Sequence, residues 1–342
     1  MYLKGAWVWS MAVVVLILGV VAAFFVGHYP VSYAEFKEAL AFWLGITKSA
    51  QGEEATRRII ETYTILYEIR FPRIIAAVCI GASLSVSGAV FQGIFVNPLV
   101  SPSILGVLSG ASFGAALGMV FHQSTPIVQL SAFTFAFIAV FFALGIAKLY
   151  GKGNTILMLV LGGVISSSLF SALLSILKYI ADPYNALPSI VYWLMGSLSS
   201  VSLQGVYAAA PLMFFSMVLL VIFSKHINLL SLGEDEAKAL GVEVEKIRLF
   251  IIVLATLLSA LSVMLAGVIG WIGLVIPHIS RFLVGPNHSV LLPFSALVGG
   301  VFLLFVDSLS RGFFTMEVPL GILTSLIGIP MFILILRHSA KE

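Results

Sequence analysis

Along this chain, stretches of about twenty apolar residues alternate with short breaks of Gly, Pro, Asn and charge. Each stretch is long enough to cross a hydrocarbon core of roughly 30 Å. Hydropathy and breakers place ten spans, at 6–27, 72–93, 102–121, 126–149, 155–179, 204–224, 248–268, 272–284, 291–310 and 319–337. The eighth is short for a full crossing. Pro277, with Gly267, Gly270 and Gly273 ahead of it, predicts a broken or tilted helix there, tolerated where backbone faces protein or water rather than lipid. Between the first two spans, apolar positions at three- and four-residue spacing predict amphipathic helices over Tyr33–Trp43 and Thr56–Tyr67. Their expected role is to cap neighbouring helix ends. The pattern predicts an all-α polytopic membrane protein of one domain over 1–342, with an extracytoplasmic segment at 28–70.

Composition sharpens this picture. Of the 342 residues 60% are hydrophobic and 10% charged, and mean hydropathy is +1.12. A soluble protein of this length could not hide so much apolar surface. The stretch 1–27 carries one Lys before its apolar run and no small-x-small cleavage site, so it reads as a retained first helix. Ten spans put both termini on one side, together with Lys4, Lys148, Lys152, Lys225, Lys246, Arg248, Arg281, Arg337 and Lys341. The positive-inside rule makes that side cytoplasmic, although Lys37, Lys48, Arg57, Arg58 and Arg70 fall on the other. No basic tract suggests nucleic acid. The single cysteine, Cys79, excludes an intramolecular disulfide. The six histidines are scattered without ligand spacing, so neither a metal site nor a cofactor is expected. The sequence holds no nucleophile–base–acid arrangement and no phosphate-binding G-x-x-x-x-G-K-[ST] loop. The chain is therefore not expected to be an enzyme.

Charge within the spans is scarce. Asp307 and Arg311 lie four residues apart on one helical face, with Glu317 shortly after, and Lys178 and Asp182 form a similar expected pair. The central thirds of the spans look empty of charge, whereas an ion-coupled carrier usually needs charge near mid-membrane. If the chain transports, its energy comes from outside it. The polar block Ser231–Arg248, SLGEDEAKALGVEVEKIR, fits that need. Glu234, Asp235 and Glu236 suit the first turn of a helix, and Glu234 can pair with Lys238. Ala237 and Leu240 make an apolar ridge, Gly241 ends the helix, and a second turn follows over 242–246. Such a helix–turn–helix knob suits docking in a partner's cleft. Gly106, Gly110, Gly114 and Gly118, each four residues apart, predict close packing of a second helix, with conduit lining as the alternative. Gly162, Gly163, Ser166, Ser167, Ser168 and Ser171 offer a small polar surface that could line a watery path, or bond to their own helix backbone.

The segment SLGEDEAKALGV resembles the coupling-helix segment of ABC importer permeases of the iron-chelate and cobalamin uptake family, the type II importers. The resemblance extends through Ala266–His288, Leu291–Gly300, Glu317–Pro330 and, upstream, Arg70–Gly114, covering most of the chain from Arg70 onward. It implies a homodimer of ten-helix subunits with the translocation path on the two-fold axis. It implies two cytoplasmic ATPase subunits gripping the knobs, here through Gly233, Glu234, Ala237, Leu240 and Gly241. It further implies an extracytoplasmic binding protein whose carboxylates meet Arg70, Arg73 and Arg311. Gly106, Gly110, Gly114, Ser166, Ser167 and Ser171 are the candidate path residues. The implied activity is ATP-driven import of a metal chelate (ferric siderophore, haem or cobalamin) across the cell membrane, with molybdate or tungstate as the alternative cargo. An ion-gradient-driven carrier, sensitive to substitution of Asp307 or Glu317, is the alternative from a different class.

Overall fold

The computed structural model describes residues 5–46, 53–151, 155–313 and 316–339. Lys4, Lys48, Lys152 and Lys341, which enter the charge asymmetry, lie outside the described residues. The chain opens with α1 (Ala6–Ala23) and α2 (Tyr33–Trp43). Ser32 starts α2 with a capping box: Glu35 N donates to its hydroxyl at 3.3 Å and its own N donates to the Glu35 carboxylate at 2.8 Å. Then come α3 (Glu53–Thr64), a π-helical turn (Ile65–Arg70) and α4 (Phe71–Ile94), in unbroken succession. The helix expected over 56–67 is thus the outer part of one long run into the membrane. Phe36 of α2 and Tyr63 of α3 pack with Phe24, at the end of α1, around buried Val31, Ala39 and Leu66.

The remaining elements are a 3-10 turn (Pro102–Leu105), α5 (Val107–Val120), α6 (Thr125–Tyr150), α7 (Thr155–Ile180), α8 (Ala186–Leu194), α9 (Leu203–Ile222), α10 (Ser224–Leu230), α11 (Glu234–Ala239), α12 (Val244–Ala266), α13 (Ile272–Val284), α14 (His288–Gly312) and α15 (Leu320–Ser339). Among the described residues, seven helical runs are long and apolar enough to cross a membrane, and three shorter apolar helices join them. Each of the ten corresponds to an expected span. The third span differs in form. Gly106 sits at φ +86 and splits it into the 3-10 turn and α5, because a left-handed residue ends one helix before the next begins. The expected second turn of the knob is the start of α12. Asp182 does not pair with Lys178, since α7 ends at Ile180; its carboxylate instead accepts from Tyr184 N at 3.2 Å and Asn185 Nδ2 at 2.7 Å.

The break before α13 lies at the glycines rather than at Pro277, which sits within a continuous α13. Gly267 turns at φ +68, and the segment to Trp271 is non-helical. Helix ends around the break bond to one another: Ser197 N donates to Ala266 O at 2.8 Å at the end of α12, and, between the ends of α8 and α15, Leu320 N donates to Gly196 O at 2.8 Å and Gly321 N to Met195 O at 2.9 Å. Irregular backbone at membrane depth needs such partners.

α4 is the axle of the fold. Of the apolar window leading through it 83% is buried, against 11% for α1. A Cβ placed on Gly88 would lie 1.8 Å from Gly273 O of α13, and one on Gly81 2.2 Å from Gly299 O of α14. Backbone therefore touches backbone on two sides of α4. Replacing Gly88 by Val should force α13 away and cost at least ~1–3 kcal/mol of overpacking. The expected result is a lowered unfolding midpoint in detergent titration. Gly145→Ala, where nothing lies within 4 Å, should leave that midpoint unchanged.

Candidate functional site

Five ionised side chains gather where α1 ends, α4 begins and α14 ends. Arg73 Nε donates to Asp307 Oδ1 at 2.7 Å, and Arg73 Nη1 donates to both Glu317 oxygens at 2.9 Å. Arg311 Nε faces Asp307 Oδ2 at 3.0 Å, one helical turn away as the sequence predicts. The other Arg311 nitrogens donate to Val26 O at 3.0 Å and Ala23 O at 3.3 Å. Arg70 donates to the carbonyls of Phe24 and Tyr29. Two guanidiniums thus grip the C-terminal carbonyls of α1, where cations complement the helix dipole.

Arg70, Arg73 and Arg311 are 3%, 4% and 5% exposed, and Asp307 is 0% exposed. The three arginines expected to stand out for a docking protein are thus sequestered in this conformation. The reason is physical: a cation beside lipid is costly unless paired, and the chain supplies its own carboxylates and carbonyls. Glu317, at 29% side-chain exposure, is the one partner of Arg73 that reaches water. Sequence spacing marks only the Asp307–Arg311 pair, because Arg73 joins from 234 positions away.

At the far end of α4, about 36 Å along a 24-residue helix, the polar block folds as α11. Gly233 precedes it at φ +120 and Gly241 follows at φ +80. Gly241 N donates to Lys238 O at 2.9 Å and Val242 N to Ala237 O at 3.1 Å, the Schellman pattern that a left-handed glycine permits. Glu234 pairs with Lys238 at 2.8 Å and also with Arg248 of α12 at 3.0 Å. Hydrogen bonding from Lys238, then Arg248, holds the Glu234 carboxyl below its ordinary value. Ala237 is 0% exposed and packs inward. The expected Ala237–Leu240 ridge is therefore split: Leu240, at 61% exposed, points outward, joined by Leu232 at 60%. Arg248, buried on α12, is the anchor that sequence reasoning missed. Beside the knob, Leu229, Leu240, Val242 and Ile247 line a cleft with His226 and Lys246.

The small-residue candidates separate into two groups. A Cβ on Gly110 would meet Phe135 O at 2.3 Å, and one on Gly114 would meet Ser131 O at 2.4 Å. Gly118 packs on Val128. These three seat α5 on α6, as the packing reading of the stripe expects. Gly106 abuts Ser166. Ser166 itself is buried and donates to Ala139 O at 2.7 Å, so it too is a packing residue. Ser167 and Ser171 are accessible, and Ser171 Oγ lies 3.4 Å from Ser109 Oγ. Near the backbone break, Met195, Val268, Trp271, Ser325 and Leu326 help to line an open cleft of about 440 Å³.

Comparison with known proteins gives these places a context. The model of the FecCD transport family matches residues 13–338. A molybdate import system permease protein of Haemophilus influenzae is 45% identical over 272 residues, covering 78% of this chain and 79% of that one. A cobalamin import system permease protein of Halobacterium salinarum is 41% identical over 274 residues, covering 80% and 73%. A solved structure described as an inward-facing conformation of an ABC transporter, assigned to the metal-chelate type, superposes with a TM-score of 0.85 at 38% identity. It covers 98% of this chain and 100% of that one.

Two outcomes follow from the geometry. Asp307→Asn should destabilise the fold far more than Glu317→Gln, since it leaves two buried arginines short of charge; losing a buried partner costs ~3–5 kcal/mol. Unfolding midpoints of the two variants test the order. For the knob, a depressed Glu234 pKa means its pairing is present above the ordinary value of 4.5 and is lost as pH falls through the lower folded value. Amide protection in α11, the intrinsic rate at each pH divided by the observed rate, should therefore hold down to pH 4.5 and fall only below it, and Glu234→Gln should remove that fall.

Proposed function

This chain belongs to the FecCD transport family, and from that premise we propose that it is the homodimeric permease of an importer for a metal chelate. It is a multi-pass membrane protein and a transport subunit. The observation that carries the reading is the knob: a short helix closed at both ends by glycines, anchored by Glu234 to Arg248 and presenting Leu240 and Leu232 outward. Two copies, one per subunit, engage two cytoplasmic ATPase subunits that hydrolyse ATP. Gly233, Glu234, Ala237 and Gly241 set the shape of the knob, and Leu240 makes the contact. Both termini and the 231–248 block are cytoplasmic, the membrane is the cell's inner or cytoplasmic one, and the 28–70 segment lies on the opposite side.

The translocation path runs between two subunits, where the accessible serines of α7, Ser167 and Ser171, meet the cleft beside Trp271 and α15. Both helices leave large apolar side chains uncovered, among them Leu169 and Ile176 on α7 and Leu326 and Ile333 on α15, which suits an interface in the membrane. A substrate-binding protein docks at the end bearing Arg70, Arg73 and Arg311. Its carboxylates gain access by exchange with Glu317, the partly exposed partner of Arg73. A chelate is favoured as cargo by the metal-chelate type of the superposed transporter and by the cobalamin permease relative. Molybdate is the second reading, favoured by the 45% identical permease.

Two measurements test the proposal. Cells lacking this chain, grown under metal limitation, should lose iron or cobalt in elemental mass spectrometry; loss of molybdenum alone would select the oxyanion reading, and no change in any metal would overturn import of either. Leu240→Glu should abolish copurification of the ATPase while leaving the membrane part folded, whereas Ala237→Glu should destabilise the knob itself. An L240E chain that still holds its ATPase would refute the docking contact.

A further inference from the structure

The knob is continuous with α10, and α10 is fastened to the membrane helices at one polar point. Asn228 of α10 accepts through Oδ1 from His288 N at 2.9 Å, and the same oxygen lies 2.8 Å from His288 Nδ1. An amide oxygen only accepts, so Nδ1 carries the proton. Asn228 Nδ2 donates to Asn287 Oδ1 at 2.9 Å, and that oxygen also caps Ser289 N at 3.0 Å. Ser224 Oγ and Ser289 Oγ lie 3.0 Å apart. Apart from the Asn287 cap, each contact joins α10 to the start of α14.

The third partner is α4. A Cβ on Gly93 would lie 2.7 Å from His288 Nε2 and 3.0 Å from Ile227 of α10. The last turn of α4, the start of α14 and α10 therefore close on one another with no spare volume, on a buried His288 ring. One residue back along α4, Gln92 accepts from Arg281 of α13 at 3.0 Å and donates to Leu274 O at 3.3 Å, which carries the connection to α13. A displacement of the knob has no slack here in which to dissipate. Polar contacts of fixed geometry also hold direction as apolar packing does not.

Resting on the importer reading above, we propose that Asn228 and His288 are the positioning residues of a transmission junction, passing movement of the ATPase-bound knob from α10 into α14 and α4. They touch neither cargo nor nucleotide. The junction works as a rigid joint, and its loss uncouples ATP hydrolysis from transport while the parts remain assembled.

The test uses the complete importer (this chain, its ATPase and its binding protein) in lipid nanodiscs or vesicles, reading ATP hydrolysed and cargo moved in the same preparation. Asn228→Ala and His288→Ala should each lower cargo moved per ATP by about tenfold, the factor that ~1.4 kcal/mol of coupling represents, with ATPase copurification unchanged. The double variant should fall no further than either single. His288→Asn, whose side-chain amide nitrogen can replace Nδ1 as donor, should restore most of the ratio. A wild-type ratio in assembled N228A or H288A, or single effects that multiply in the double variant, would overturn the junction. Where an alanine variant fails to assemble, Ser224→Ala, which removes one contact, decides: a lowered ratio supports the proposal and an unchanged one refutes it. Failure of any ATPase to associate with the unaltered chain would instead sink the importer reading on which the junction depends.

Discussion

Close backbone contact along α4 is the constraint on which the rest of this structure depends. In lipid, helices gain nothing by hiding apolar side chains from water, so they must be held by van der Waals contact and by polar bonds between helices. Gly81 and Gly88 bring α4 against α14 and α13 at distances no side chain would allow. Ser87 adds a bond to Ala255 O of α12 at 2.8 Å. With three neighbours fixed to one helix, both ends of α4 become defined places. One end carries Arg73, the other Gln92 and Gly93. The charge cluster and the polar junction are consequences of where this axle starts and stops.

The two ends solve different electrostatic problems. At the arginine end, three cations and Asp307 lie nearly dry with the part-exposed Glu317 beside them, and the excess positive charge is met by carbonyls at the end of α1. That arrangement fixes α1, a helix otherwise mostly facing lipid, to the core of the fold. A closed cluster of this kind offers an incoming protein no free guanidinium, yet Glu317 leaves one edge open to exchange. At the knob end, amides, hydroxyls and an imidazole join α10 to α14, while the guanidiniums of Arg248 and Arg281 hold the knob to α12, and α13 to Gln92 of α4. On the proposed reading, the uncharged bonds between α10 and α14 suit a joint, because they strand no desolvated charge if the surroundings shift.

Much of this was legible in the sequence, and the failures have identifiable causes. Apolar runs and breakers located all ten spans, and α13 was placed to the residue, because lipid enforces length and polarity more strictly than water does. Hydropathy could not see that Gly106 is left-handed, so span three was read as one helix. The glycine spacing fits packing and conduit alike, and only the tertiary structure brings the α6 backbone against Gly110 and Gly114. Ala237 and Leu240 are three apart and were placed on one ridge, but the six-residue α11 buries one and exposes the other. The i,i+4 pair Asp307–Arg311 was visible, whereas its link to Arg73 is a matter of tertiary structure. His288 and Asn228 were passed over because single polar residues far apart carry no local pattern. A sharper signal lay in Asn287 and His288 themselves, a polar pair at the very start of an apolar span.

Strong polar bonding in this chain is concentrated at contacts between helices, which bears on the proposed division between selectivity and energy. Among the described residues no cluster of His, Cys, Asp and Glu could hold a metal, and the accessible residues among the path candidates are Ser167 and Ser171. Such a surface is weakly polar and grips nothing tightly, which suits a conduit that must release what it admits. Strong polar interactions are reserved for joints between helices and for the knob. On the proposed reading, that directional bonding serves to transmit movement, and recognition rests with a partner. A permease built this way can change cargo by changing what delivers it, which is consistent with relatives of similar identity carrying the names of molybdate and cobalamin systems. What this chain's own residues fix is the mechanical part: an axle of glycines, a sealed charge cluster at one end, and a jointed knob at the other.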